Sequence, residues 1–169
     1  LTHAHADHIL ALYKMLEEYD IKVVANVEEK DMLIKKVDNC ASVFGLEQKA
    51  FKLEKFIFVN DGEYIDFDDI KIKCISTPGH TKGSTCYLIE NENILFTGDT
   101  IFESFFGRTD LASGSSKDII NSIVKLFKNY NECVIYPGHG SSGFKLKNIY
   151  ERINRCANVF FNINLDNLV

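Results

Sequence analysis

Thr2-His3-Ala4-His5-Ala6-Asp7-His8 is the stretch on which the reading of this chain turns. It sets three imidazoles and a carboxylate within a few residues, directly before an amphipathic segment. In an extended backbone, residues two apart point the same way, so His3 and His5 can converge on one ion. Asp7 and His8, where the chain turns into a helix, can face a second ion beside it. The plainer account is a polar turn in which Asp7 caps the helix. Imidazole and carboxylate at this density are, however, what Zn²⁺ or Fe requires.

Working outward, the tripeptide Pro-Gly-His occurs twice, at Pro78-Gly79-His80 and at Pro137-Gly138-His139. Each follows an apolar run, Ile72 to Ser76 and Val134 to Tyr136, so each presents a histidine from a strand end. Both prolines of the chain are spent there, and with the first motif these turns account for all 5 histidines. Asp99 stands in Phe96-Thr97-Gly98-Asp99-Thr100, a strand closed by a glycine that permits close backbone approach. Alone, Gly-Asp-Thr would read as an Asx-type turn. Among so many metal-binding side chains, a carboxylate whose two oxygens can bridge two cations is the better reading.

The remaining sequence predicts the scaffold. Ile9, Leu12, Met15, Leu16 and Tyr19 recur at helical spacing, Ile21 to Ala25 reads as a strand, and a second helix runs through Glu28 to Ile34. From Phe56 the period changes to two, over Phe56–Val59, Glu63–Phe67, Ile70–Ser76, Thr85–Glu90 and Ile94–Phe96, which predicts a largely antiparallel meander. A helix over Lys117–Lys128, a strand over Cys133–Tyr136 and a last helix over Lys145–Val159 complete a mixed α+β chain. At 169 residues, with no linker, it is expected to be a single domain over 1–169. A formal net charge of −5 and no basic cluster argue against nucleic acid. No apolar run is long enough for a membrane span. The 5 cysteines are widely spaced, without a C-x-x-C pair, and are expected to be reduced thiols of a cytoplasmic protein. A small molecule is the expected partner.

Taken in order, H-x-H-x-D-H, P-G-H-T, T-G-D and P-G-H-G resemble the metallo-β-lactamase-fold hydrolases over the whole chain. The resemblance implies a four-layer αββα sandwich. It assigns His3, His5 and His80 to one metal, Asp7, His8 and His139 to another, and Asp99 to a bridge between them. The implied cofactors are two divalent ions, Zn first, with Fe or Mn as other candidates. The β-lactamases themselves typically carry Cys where Asp99 stands, and the flavodiiron proteins Glu where His5 stands. Thr97 to Phe102 and Phe106-Gly107-Arg108-Thr109-Asp110-Leu111 are instead similar to the glyoxalase II-like branch, whose best-known members hydrolyse S-2-hydroxyacylglutathione thioesters. Two departures stand out. Several strands usually precede the first motif in this fold, so the sandwich is expected to be incomplete at its N-terminal side. The thirty residues after His139 are too few for the helical domain that helps glyoxalase II enzymes hold glutathione.

The implied function is a metal-dependent, binuclear hydrolase of thioesterase type. A water shared by two cations, its pKa lowered from about 15.7 towards roughly 7, would supply the hydroxide that attacks a thioester or ester carbonyl. Asp7 would orient that water as well as bind metal. The helix N-terminus near Asp7 and His8 opposes a cation, which the two aspartates offset. Arg108 and Lys82 are candidates to hold an anionic substrate tail, unless Arg108 simply pairs with Asp110. Tyr87 and the Phe102, Phe105, Phe106 cluster are candidates for a substrate wall, though aromatics beside strands are more often core. A second reading is an oxidoreductase resembling the persulfide dioxygenases, with a single Fe on His3, His80 and Asp99. A third is an inactive fragment.

Overall fold

The computed structural model describes residues 1–169. The chain begins with α1 (Ala6–Ile9), α2 (Leu12–Glu18), β1 (Val23–Asn26), the single-turn α3 (Lys30–Leu33) and β2 (Phe56–Val59). The meander follows as β3 (Tyr64–Phe67), β4 (Ile70–Ser76), β5 (Thr85–Ile89) and β6 (Ile94–Gly98). Then come α4 (Ser116–Tyr130), β7 (Val134–Pro137), β8 (Phe144–Lys145) and α5 (Tyr150–Phe161). β1 and β2 form a parallel pair, and β3 to β8 form a six-stranded sheet in sequence order. Its neighbours are antiparallel except β6 and β7, whose parallel pairing requires a crossover that α4 supplies.

Three separate apolar clusters divide these elements into four layers. Val23 and Ala25 of β1 pack with Phe56 against Ile9, Leu12 and Leu33 of the first helices. Val24, on the opposite face, joins Val59, Cys74 and Tyr87 between the sheets. Cys86 and Leu88 of β5 turn the other way, with Leu95 and Ile135, onto Ile119, Ile123 and Leu126 of α4 and Ile153 of α5. The strict alternation along each strand makes this division, since successive side chains take opposite faces. The layer order is therefore helices, two-stranded sheet, six-stranded sheet, helices. The two-stranded sheet covers only part of its neighbour, and Phe67, Phe96 and Tyr136 on the shared face are 64%, 41% and 37% exposed.

α4 starts where Ser115 accepts a hydrogen bond from the Asp118 N–H at 3.2 Å, a cap that typically contributes about 1 kcal/mol. Its apolar stripe of Ile119, Ile120, Ile123, Leu126 and Phe127 lies on the six-stranded sheet.

The observed elements differ from the sequence reading at several places. The helix expected over Ile9 to Tyr19 is two helices, α1 and α2, although Leu10 and Ala11 between them keep right-handed helical backbone. The helix expected through Glu28 to Ile34 is a 3-10 turn over Val27–Glu29 followed by α3, and Glu29 in that turn is buried. The last helix likewise begins as a 3-10 turn, Leu146–Ile149, before α5. The meander is antiparallel as expected, whereas the β1–β2 and β6–β7 pairs are parallel.

Candidate metal centre

The opening segment is held extended at the junction of the two sheets. Thr85 N–H donates to the Thr2 carbonyl at 2.9 Å and Ala6 N–H to the Asn39 carbonyl at 2.8 Å. Ala4 is fully buried in the first core, so the alternation turns His3 and His5 to the opposite side, where both are buried at 1% and 3% exposure. Asp7 and His8 follow in the first turn of α1.

His80 comes from the turn after β4, which lies flat on α4. Ser115 N–H donates to the Gly79 carbonyl at 2.8 Å and the Ser122 hydroxyl to the Pro78 carbonyl at 2.7 Å. Gly79 has φ +139°, and a Cβ there would sit 2.3 Å from the Ile119 nitrogen, so glycine is required. The Arg108 carbonyl lies 2.8 Å from His80 Nδ1. A carbonyl can only accept, so Nδ1 carries the proton and the Nε2 lone pair faces the site. Asp99 follows β6, where the register slips between Phe96 and Gly98. His139 follows β7, whose last turn is tied to β6 by Gly138 N–H donating to the Gly98 carbonyl at 2.8 Å.

These seven side chains meet. His5 Nδ1 and His80 Nε2 are 2.9 Å apart, and His8 Nε2 and His139 Nε2 are 3.3 Å apart. Asp7 Oδ2 lies 3.1 Å from His139 Nε2. Asp99 reaches both groups, with Oδ1 at 3.2 Å from His8 Nε2 and Oδ2 at 3.4 Å from His139 Nε2 and 3.7 Å from His80 Nε2. Donor atoms of His3, His5 and His80 all lie within 4.8 Å of one another, as do those of Asp7, His8 and His139. The first group is buried and the second is partly open to solvent.

The chemistry of this set fits cations. His3 Nε2 and His5 Nε2 are buried without a hydrogen-bond partner, and the buried Asp99 Oδ1 has only His8 Nε2 beside it, at 3.2 Å. Each such orphan ordinarily costs about 1–3 kcal/mol, which a bound cation would offset. Burial, reinforced by the neighbouring imidazoles, holds His3 well below the usual histidine range and brings His5 down to about 4. Burial lowers His80 as well. All three are thus neutral ligands at neutral pH. For Asp99, burial alone would raise the pKa, but the hydrogen bond and charge of His8 prevail and it falls below the usual carboxylate value. His8 moves upward in return, the Asp99 interaction outweighing its own burial.

A cleft of about 200 Å³ opens over His5, Asp7, His80 and Asp99, walled by Cys40, Val43, Phe44, Arg108 and Leu111. A second of about 330 Å³ runs from His139 along Phe102 and Phe105. Arg108 thus stands at the mouth, its guanidinium paired with both Asp110 oxygens at 2.7 Å. Lys82 pairs with Glu28 at 2.6 Å on the surface. Tyr87 is not at the site: it is buried between the sheets and its hydroxyl donates to the Leu1 carbonyl at 2.6 Å, because its position on β5 faces the two-stranded sheet. Phe106 is core and Phe105 stacks on it, while the Phe102 ring lies 6.3 Å from that of His139. Cys40, Val43, Phe44 and Leu111 were not singled out by the sequence, since nothing in their local pattern separates a cleft wall from an ordinary loop.

The family described as the metallo-beta-lactamase superfamily matches residues 1–139. The hydroxyacylglutathione hydrolase GloC of Haemophilus influenzae is 30% identical over 142 residues, covering 83% of this chain and 67% of that protein. The crystal structure of BLEG-1, a B3 metallo-beta-lactamase, aligns with a TM-score of 0.77 at 28% identity, over 87% of this chain and 70% of the other. A protein solved in a di-iron-bound form, TTHA1623, aligns with a TM-score of 0.74 at 26% identity, over 87% and 71%.

Proposed function

The chain belongs to the metallo-beta-lactamase superfamily, and from that premise we propose that it is a binuclear metal-dependent hydrolase acting on a small-molecule thioester or ester. The observation that carries this reading is the convergence of the buried His3, His5 and His80 group, with its unpartnered His3 Nε2 and His5 Nε2, and the open Asp7, His8 and His139 group on either side of Asp99. His3, His5 and His80 would hold one ion, Asp7, His8 and His139 the other, with Asp99 within reach of both groups. The relative solved with two irons supports a two-ion site. The hydroxyacylglutathione hydrolase supports a thioester, with zinc, iron and manganese all compatible with this donor set.

Divalent ions bound by these residues would supply Lewis acidity and lower the pKa of a bound water towards roughly 7. The chain's own residues do the rest. The Arg108 carbonyl fixes the His80 ring, and Asp99, ionised, offsets positive charge between the two groups. Asp7, partly exposed at the cleft, accepts a hydrogen bond from the attacking water and orients it. Val43, Phe44 and Leu111 offer an apolar wall to the substrate, while the Arg108 guanidinium at the mouth is held by Asp110.

A single-iron site on His3, His80 and Asp99 would leave His5 without a role, though it is buried, its Nε2 is unpartnered and its Nδ1 lies 2.9 Å from His80 Nε2. The binuclear reading is therefore preferred. It is tested by metal analysis of natively purified protein together with turnover of acylglutathione thioesters. About two equivalents per chain and hydrolysis abolished by Asp99→Ala are expected. Retained hydrolysis in that variant, or one iron with oxygen uptake on a persulfide, would overturn it.

A further inference from the structure

One buried carboxylate has no part in the chemistry above. Glu29, 2% exposed, ends the 3-10 turn after β1. Its Oε2 accepts the Ala4 N–H at 2.8 Å. Its Oε1 accepts the Thr81 hydroxyl at 2.6 Å and the Gly83 N–H at 2.9 Å. Ala4 is the residue between His3 and His5, and Thr81 follows His80. One side chain therefore grips, through neighbouring atoms, both loops that supply the buried imidazoles. We propose that Glu29 is the positioning residue of the His3, His5 and His80 group: it sets the spacing of the two loops and so the affinity of the cation held there. This rests on the metal-centre reading above and assigns Glu29 no contact with substrate or metal.

The surroundings are built for this grip. Asn26 accepts the Glu28 N–H at 3.0 Å and donates to Ser76 Oγ at 2.9 Å and Thr85 Oγ1 at 3.0 Å, tying the turn to β4 and β5. The Thr81 hydroxyl also meets Ser84 Oγ at 2.8 Å. A Cβ on Gly83 would fall 2.7 Å from Glu29 atoms, so the turn closes on the carboxylate with no room for a side chain. Burying a carboxylate is costly unless its oxygens are satisfied, and an apolar residue would fill the same space without that cost. What an apolar residue could not do is hold Ala4 and Gly83 at once. Glutamine cannot either: with its single carbonyl oxygen on Thr81 and Gly83, its NH₂ faces the Ala4 N–H, donor against donor. The arm to His3 and His5 is the one released. The group formed by Asp7, His8 and His139 makes no contact with Glu29 and is left alone.

The test uses the full chain, titrated with Co²⁺ against a chromophoric chelator and followed by its visible absorption. H139A identifies which of the two equivalents belongs to the open group. In E29Q the other equivalent is expected to weaken by about 10–100-fold, the usual consequence of removing a partner behind the ligands, with an altered Co²⁺ spectrum. T81V, which removes one arm and leaves no donor opposed, should weaken the same equivalent by a smaller factor. The open-group equivalent keeps its wild-type constant in both, which a general loosening of the fold would not allow. Unchanged constants and spectra in both variants would overturn the proposal while the metal reading stands, and equal weakening of both equivalents would overturn it too. Should E29Q fail to fold, T81V decides on the same readout. A wild-type chain that binds no Co²⁺ would remove the metal reading and this proposal with it.

Discussion

Gly138 offers a direct probe of whether Asp99 must sit between the two donor groups. A Cβ at this position would lie 2.2 Å from Asp99 Oδ1 and 2.7 Å from His8 Cε1, whereas ordinary contact begins near 3.4 Å. In Gly138→Ala the carboxylate therefore has to retreat by about 1.2 Å, with His8 pushed away as well. The backbone itself tolerates alanine, because Gly138 does not occupy the left-handed region. The core against α4 is untouched, so the melting temperature should stay near wild type. A displacement of about 1 Å at reacting groups costs on the order of 10²-fold in rate. Thioester turnover is accordingly expected to fall by about that factor, with bound metal dropping below two equivalents. Both are measured on the same preparation, with a thermal melt to verify folding. Wild-type turnover and full metal in a folded Gly138→Ala chain would refute the placing of Asp99 as the bridge.

Two further outcomes follow from packing and burial. In the chelator-stripped protein, His5 titrates near pH 4 when folded against 6.5 when free, so the unfolded chain takes up its proton first as pH falls. Its contribution is fully present above pH 6.5 and is lost on the way down to pH 4, roughly 3 kcal/mol for this imidazole alone; urea melts across that range should show the decline, and a flat profile would contradict it. Leu126→Ala, in the fully buried stripe of α4, should cost roughly 3–5 kcal/mol in the same kind of melt and leave the metal count unchanged.

The metal-site candidates were legible because their chemistry is carried by residue types with few other reasons to cluster. His3 and His5 could be put on one face from spacing alone, and the buried Ala4 between them shows why that worked. The period-two runs from Phe56 onward marked β2 to β6 to within a residue or two. Pairing direction was less accessible, since alternation is the same in parallel and antiparallel strands, and the parallel β6–β7 pair is set by the crossover through α4. Glu29 was hidden because a Glu-Glu-Lys-Asp run reads as the wet face of a helix, and only the folded turn reveals that one of these acids faces inward. Tyr87 shows the opposite error: an aromatic near the motifs in sequence lies on the far face of its strand.

The distances along the chain between the meeting histidines have a kinetic meaning. His5 and His80 are 75 residues apart, while His8 and His139 are 131 apart. Closing long loops is entropically costly and comes late when contacts are non-local. The buried imidazole group joins the opening segment to the turn after β4, which then packs on α4, whereas the open group also waits for α4 to cross over and deliver β7 beside β6. The two groups should therefore mature in order, the inner one first, and the outer one should be the first to come apart when the final helices loosen.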